Sequence, residues 1–188
     1  MWREAEKFLS KDKYIGPLIK KWGHCTIKPR VHKDYFQGLC GEIIGQQLSG
    51  RVADVIEGRL KAKIKGRLTS NNILSLPDGQ LRSCGMAWSK VRAIKDLSQR
   101  VKNRKLHIRK LGKLTDEEVK KELVAVKGIG PWTAEMFLMF SLARPDIFPK
   151  DDLGINKAMK KLKLKNSNRW KPYRTVASWY LWRSLEFG

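Results

Sequence analysis

Hydrophobic residues recur along most of this chain with the spacing of helices that bury one face. Trp2, Ala5, Phe8 and Leu9, then Ile15, Leu18, Ile19 and Trp22, mark two short amphipathic helices. The basic, turn-like GHCTIKPRVHK over 23–33 reads as a connector. Phe36, Leu39, Cys40, Ile43, Ile44 and Gln47 fall at i, i+3, i+4, i+7, i+8 and i+11, which predicts a core-facing helix with Gln47 at the end of its apolar face. The run from Gln46 to Gly50 closes it, and Val52, Val55, Ile56 and Leu60 begin another.

LTSNNILSLP (68–77) predicts a short helix capped by Ser70 or Asn71, with Asp78 capping the next. Trp88, Val91, Ile94, Leu97 and Val101 form a further stripe, to which no chemistry is assigned. Thr115 followed by Asp116, Glu117 and Glu118 is a capping box, so a helix starts near Asp116. Thr133 to Leu142 is apolar on nearly every side, which predicts a buried helix. ARPDIFPK (143–150), with two prolines, is a loop, and Ile155, Met159 and Leu162 continue as helix. In the last helix Tyr173, Val176, Ala177, Tyr180 and Leu181 form one face, leaving Trp179 and Trp182 on an adjoining one.

Two stretches suggest chemistry. Gly128 and Gly130 flank Ile129, and Pro131 follows. Glycine visits positive φ without strain and proline suits a first helical turn, so a sharp turn between two helices is expected. The amides and positive dipole end of the second helix make an anion site without a charged side chain, although a plain αα-turn fits the same residues. Asp151 and Asp152, adjacent after the proline loop, either cap the next helix or supply a reactive carboxylate, and Asp151 fits the capping role.

Composition narrows the partners. The 188 residues, 41% hydrophobic, suffice for one good core or two small lobes. Against 18 acidic residues stand 40 Lys and Arg, a net charge of +22 spread over the whole length, and such a balance favours a polyanion: DNA, RNA or ribosome. Cys25, Cys40 and Cys84 lack the short spacings of zinc or iron–sulfur sites, so reduced, mostly buried thiols are expected. His24, His32 and His107 show no ligand spacing. No apolar run has membrane-spanning length and MWREAEKFLSKDKY is not signal-like, so an intracellular protein of cytoplasm, nucleoid or nucleus is expected.

KGIGPWTAEMFL (127–138) and then FPKDDLGI (148–155) resemble the helix-hairpin-helix superfamily of DNA glycosylases, whose signature is this hairpin followed by a catalytic aspartate. The resemblance runs from about Phe36 to Trp182. Members that also cleave the backbone have a lysine nucleophile where this chain has Trp132, whereas the 3-methyladenine branch has tryptophan. The resemblance therefore implies a monofunctional hydrolase of the N-glycosidic bond of alkylated purines, acting by base flipping as the first step of base excision repair. It implies an all-α fold of two helical lobes with a cleft between them: 36–144 containing the hairpin, and 1–35 with 145–188.

The family's catalytic carboxylate falls on Asp152, with Asp151 as the alternative. IIGQQLSGRVAD (43–54) resembles the segment that fills the gap left by a flipped nucleotide, a wedge role that falls on Gln47, with Leu48 second. PYRTVASWYLW (172–182) resembles the closing helix of the 3-methyladenine enzymes, with Trp182 as the base-stacking residue and Trp132 and Met136 as further pocket walls. Met136 stands where the type enzyme has tyrosine. Lys127, Gly128, Gly130 and Thr133 would hold DNA phosphate. The implied partner is double-stranded DNA with damaged bases, met by a monomer without cofactor or protein-ligated metal. Two alternatives remain: a non-catalytic DNA-binding module, and a glycosylase for hypoxanthine, uracil or oxidised guanine.

Overall fold

The computed structural model describes residues 1–64 and 66–185, which contain α-helices and short 3₁₀ turns and no strand. In chain order the helices are α1 (Arg3–Leu9), α2 (Ile15–Trp22), α3 (Tyr35–Gly45), α4 (Gly50–Ile64), α5 (Ser70–Ser75), α6 (Asp78–Arg82), α7 (Trp88–Lys102), α8 (Asp116–Val124), α9 (Pro131–Phe140), α10 (Leu153–Lys161) and α11 (Arg174–Arg183). The chain divides into two compact units. One is Arg30–Phe137; the other joins Met1–Pro29 to Leu138–Gly188. These limits differ from 36 and 144, and the second falls inside α9 rather than in the proline loop after it.

In the Arg30–Phe137 unit, α7 packs against α3, α5 and α6. Leu39, Ile43 and Ile44 of α3 and Val91, Ile94 and Leu97 of α7 are fully buried, each side chain contributing about 1.5–3 kcal/mol by leaving water. Ile56 and Leu60 of α4 are buried as well, whereas Val52 and Val55 are exposed. Two caps differ from expectation by one residue. Thr69, in extended conformation, accepts the Asn72 amide and so caps α5, and Pro77 precedes α6, leaving Asp78 in its first turn. The capping box of α8 is present: Thr115 Oγ1 accepts the Glu118 amide while Glu118 accepts the Thr115 amide.

The other unit is built on α11, which packs against α1, α2 and α10. Tyr180 at its centre donates to the Gly23 carbonyl at 2.7 Å and lies 3.3 Å from Glu6 of α1. Buried Glu6 also accepts the Cys25 amide, so this polar knot ties α1 and its connector to the last helix. The loop after α9 is fastened to the start of α11. Arg174 grips Asp146 through Nε and Nη2 at 2.7 and 2.8 Å, while Thr175 Oγ1 donates to the Arg144 carbonyl and accepts the Ile147 amide. Cys25, Cys40 and Cys84 are free thiols, and burial pushes all three up.

Candidate active site

The pinned loop delivers Asp152 to the N-cap of α10, in extended conformation (φ −74°, ψ 128°), with Oδ1 accepting the Ile155 amide at 2.8 Å. The capping role expected of Asp151 thus belongs to Asp152. The helix begins at Leu153, one residue later than that expectation required, and Asp151 is exposed in the preceding turn. A second donor reaches the same oxygen: Trp182 Nε1 lies 2.8 Å from Asp152 Oδ1. Two N–H groups from two helices therefore fix this carboxylate's rotamer.

Trp182 is half-buried, with its ring tilted 31° against Phe140 at 5.8 Å between centroids. Its edge passes close over Gly154. A methyl group there would lie 2.9 Å from Trp182 Cδ1 and 3.1 Å from both Nε1 and Asp152 Oδ1. The missing side chain at 154 is what admits the indole to the carboxylate. Leu153, between the two, is 86% exposed.

The hairpin and the 43–54 segment, to which the resemblance assigns the wedge, lie in the Arg30–Phe137 unit. Gly128 turns the chain at φ +79° and sits so close to α7 that an added methyl would meet Ala93 Cβ at 2.9 Å. Asp96, one turn further along α7, accepts the Lys127 amide at 2.8 Å and pairs with Arg100 at 2.8 Å. Burial pushes the Asp96 carboxyl up, but these donors outweigh it and hold it below its usual range. Helix α9 then starts at Pro131, the Ala134 amide closing on the Gly130 carbonyl at 3.1 Å. Lys127 and Gly128 are exposed, as a phosphate contact requires. Thr133 is not: its hydroxyl is buried and accepts Gln46 Nε2 at 2.9 Å, so only its backbone could meet a phosphate. Trp132 is half-buried in the first turn of α9, and Met136, one turn on, is buried.

Gln47 is not the last position of a helical stripe. Helix α3 stops at Gly45 because Gln46 turns to φ −50°, ψ 125° and Gln47 to φ +57°, and the Leu48 amide closes on the Gly45 carbonyl at 3.1 Å. These are the features of a type II turn, whose third position is normally glycine. A Cβ-bearing residue there costs roughly 1–2 kcal/mol. The geometry leaves the Gln47 and Leu48 side chains exposed, as a wedge requires.

The sequence matches the model of the HhH-GPD superfamily of base excision DNA repair proteins over residues 40–183. The chain belongs to the HhH-GPD superfamily. Its relatives include the alkylbase DNA glycosidase-like protein mag2 of Schizosaccharomyces pombe, 30% identical over 97% of this chain and 93% of that one. The DNA-3-methyladenine glycosylase of Saccharomyces cerevisiae is 31% identical over 95% and 78% of the two chains. Among solved structures, the Schizosaccharomyces pombe 3-methyladenine DNA glycosylase Mag1 in complex with abasic DNA superposes with a TM-score of 0.82 at 30% identity, covering 96% of each chain.

For this HhH-GPD chain the structure brings Asp152 together with Trp182, and the hairpin together with the wedge segment. Several participants escaped the sequence reading. Gln46 carries only a helix-end signal in the sequence, and Lys90, Ala93 and Asp96 lie in a stretch without a chemical motif. Their signal was present but faint: Lys90, Ala93 and Asp96 stand three apart, one face of α7. Gly154 had no signal at all, since its importance lies in a neighbour 28 residues away.

Proposed function

We propose that this chain is a monofunctional DNA glycosylase that flips alkylated purines of the 3-methyladenine and 7-methylguanine type out of duplex DNA and hydrolyses their N-glycosidic bond. The observation that supports the reading is the carboxylate of Asp152, fixed by the Ile155 amide and the Trp182 indole; it stands on the residue to which the resemblance assigns the catalytic role. An alkylated purine already bears positive charge and leaves readily, so no strong general acid is needed. The bond between C1′ and the base nitrogen breaks with its electron pair going to the base. Water adds its oxygen to C1′ and its spare proton passes to solvent. The sugar is cationic between these events, and a preorganised carboxylate lowers the energy of that state.

The rest of the machinery follows from the same reading. Exposed Gln47 or Leu48 enters the space the nucleotide vacates, repaying part of the few kcal/mol that extrusion costs. Lys127 and the Gly128–Gly130 hairpin hold a phosphate at the amino end of α9. The electron-rich indole face of Trp182 favours a cationic base. Trp132 in place of lysine leaves no amine to form a Schiff base, so the product is an intact strand with an abasic site. Mag1, the superposing relative, is bound to abasic DNA. The test is to incubate the protein with methylated duplex DNA and separate released bases by chromatography. Methylpurines without strand cleavage are expected; binding without release from methylated DNA or from duplexes containing hypoxanthine, uracil or oxidised guanine means a DNA-binding module instead.

A further inference from the structure

The wedge turn is held from two sides by side chains outside the proposed machinery. Lys90, in the first turn of α7, extends its ammonium to the Ile44 and Gln46 carbonyls, both at 2.8 Å. These carbonyls end α3, where a cation also meets the negative end of the helix dipole. Burial draws the Lys90 ammonium below its usual range, while the two accepting carbonyls favour its charged form. On the other side Gln46 Nε2 donates to the Gly128 carbonyl at 3.0 Å and to Thr133 Oγ1 at 2.9 Å, bridging 82 and 87 residues of sequence to the hairpin. Directly after the residue on which both anchors converge stands Gln47 at φ +57°, a strained conformation that the surrounding bonds hold in place.

We infer that Lys90 and Gln46 are positioning residues that lock the wedge turn to the hairpin, so that phosphate capture and entry into the duplex occur as one rigid movement. This rests on the glycosylase reading. Helix α7 is the bracket: Lys90 holds the wedge turn, while Ala93 and Asp96 on the same face hold Gly128 and Lys127. With either anchor removed, the turn relaxes from its strained form and the Gln47 side chain no longer meets the gap in register with the grip on the backbone.

The experiment compares wild type, Lys90→Met, Lys90→Arg and Gln46→Ala on one alkylated purine, placed either in a paired duplex or in an unpaired bulge. Binding to intact duplex and to duplex with a tetrahydrofuran abasic analogue is measured over a range of salt. Lys90→Met and Gln46→Ala are expected to lose about tenfold or more in kcat/KM on the paired lesion, and a similar factor in preference for the abasic analogue. On the bulge, where no extrusion is needed, they should approach wild type, and Lys90→Arg should retain most activity throughout. The salt slope on intact duplex should not change. Equal losses on paired and bulged lesions, or none on either, overturn the inference. So does a slope reduced by about one in Lys90→Met, which would make Lys90 a phosphate ligand. If wild type releases no base, the glycosylase reading fails on its own, and preference for the abasic analogue still decides whether Lys90 and Gln46 set the wedge.

Discussion

Trp182 donates its indole N–H to Asp152 Oδ1 at 2.8 Å, sharing that oxygen with the Ile155 amide. Trp182 therefore has an edge role besides the stacking role assigned to its face: it aims the carboxylate. The contact depends on Gly154. Gly154→Ala should leave the fold intact, because alanine is the better helix former by about 1 kcal/mol, which offsets part of the crowding. It should nevertheless displace the indole and lower kcat roughly tenfold with little change in KM, the signature of lost transition-state stabilisation. Single-turnover kinetics beside thermal denaturation would reveal this opposition, and unchanged kcat would show that the contact does not matter.

Gln47 holds a turn position suited to glycine. Gln47→Gly should keep or slightly raise thermal stability, since about 1 kcal/mol of backbone strain is relieved against the added entropy of an unfolded glycine. The same change should cost most of the preference for abasic-analogue duplex over intact duplex, measured by fluorescence anisotropy. A variant that is destabilised and still discriminates would assign the turn a structural role alone.

The hairpin makes a sharper steric prediction. Gly128→Ala introduces a methyl 2.9 Å from Ala93 Cβ at φ +79°, so a loss of about 2–3 kcal/mol in urea unfolding is expected. Adding Ala93→Gly removes the clash but not the backbone strain, and should recover part of the loss. Full recovery would mean that the backbone tolerates alanine.

Burial pushes Glu42 of α3 up to about 7, with Arg30 opposing. A carboxyl raised above its ordinary 4.5 binds more protons folded than unfolded, so its contribution is greatest below that value and is lost as pH rises from about 4.5 through 7. Glu42→Gln should therefore be more stable than wild type at pH 8, by up to about 3 kcal/mol, and the advantage should vanish near pH 4.5. Denaturation midpoints of both proteins across that range test it, and parallel curves would contradict it.

Helix positions were legible because burial imposes periodicity: Val91, Ile94 and Leu97 of the α7 stripe are buried and the capping box of α8 stands where the pattern sets it, whereas Trp88 at the head of that stripe is exposed. The hairpin was legible through Gly128 and Pro131, whose backbone preferences are local. Asp152 was reached through the resemblance, while the local argument favoured Asp151 as the cap. The start of α10 at Leu153 gives the cap to Asp152; the catalytic role of that residue rests on the resemblance. Gln47 was misread as helical since a sequence stripe cannot reveal that Gln46 leaves helical geometry. Gln46, Lys90, Asp96 and Gly154 act through partners distant in sequence, and no spacing encodes such contacts.

The carboxylate of Asp152 caps a helix as well as serving, on this account, the reaction, and Asn separates the roles: it caps equally well and its Oδ1 can still accept both N–H groups, but it carries no charge. Excision of 7-methylguanine from duplex DNA by Asp152→Asn under single-turnover conditions, beside wild type of matched melting temperature and DNA affinity, is the most direct test. The account predicts that excision falls by a factor of about a hundred or more while stability and binding hold. Excision at the wild-type rate would show that the charge at Asp152 does not support the cleavage.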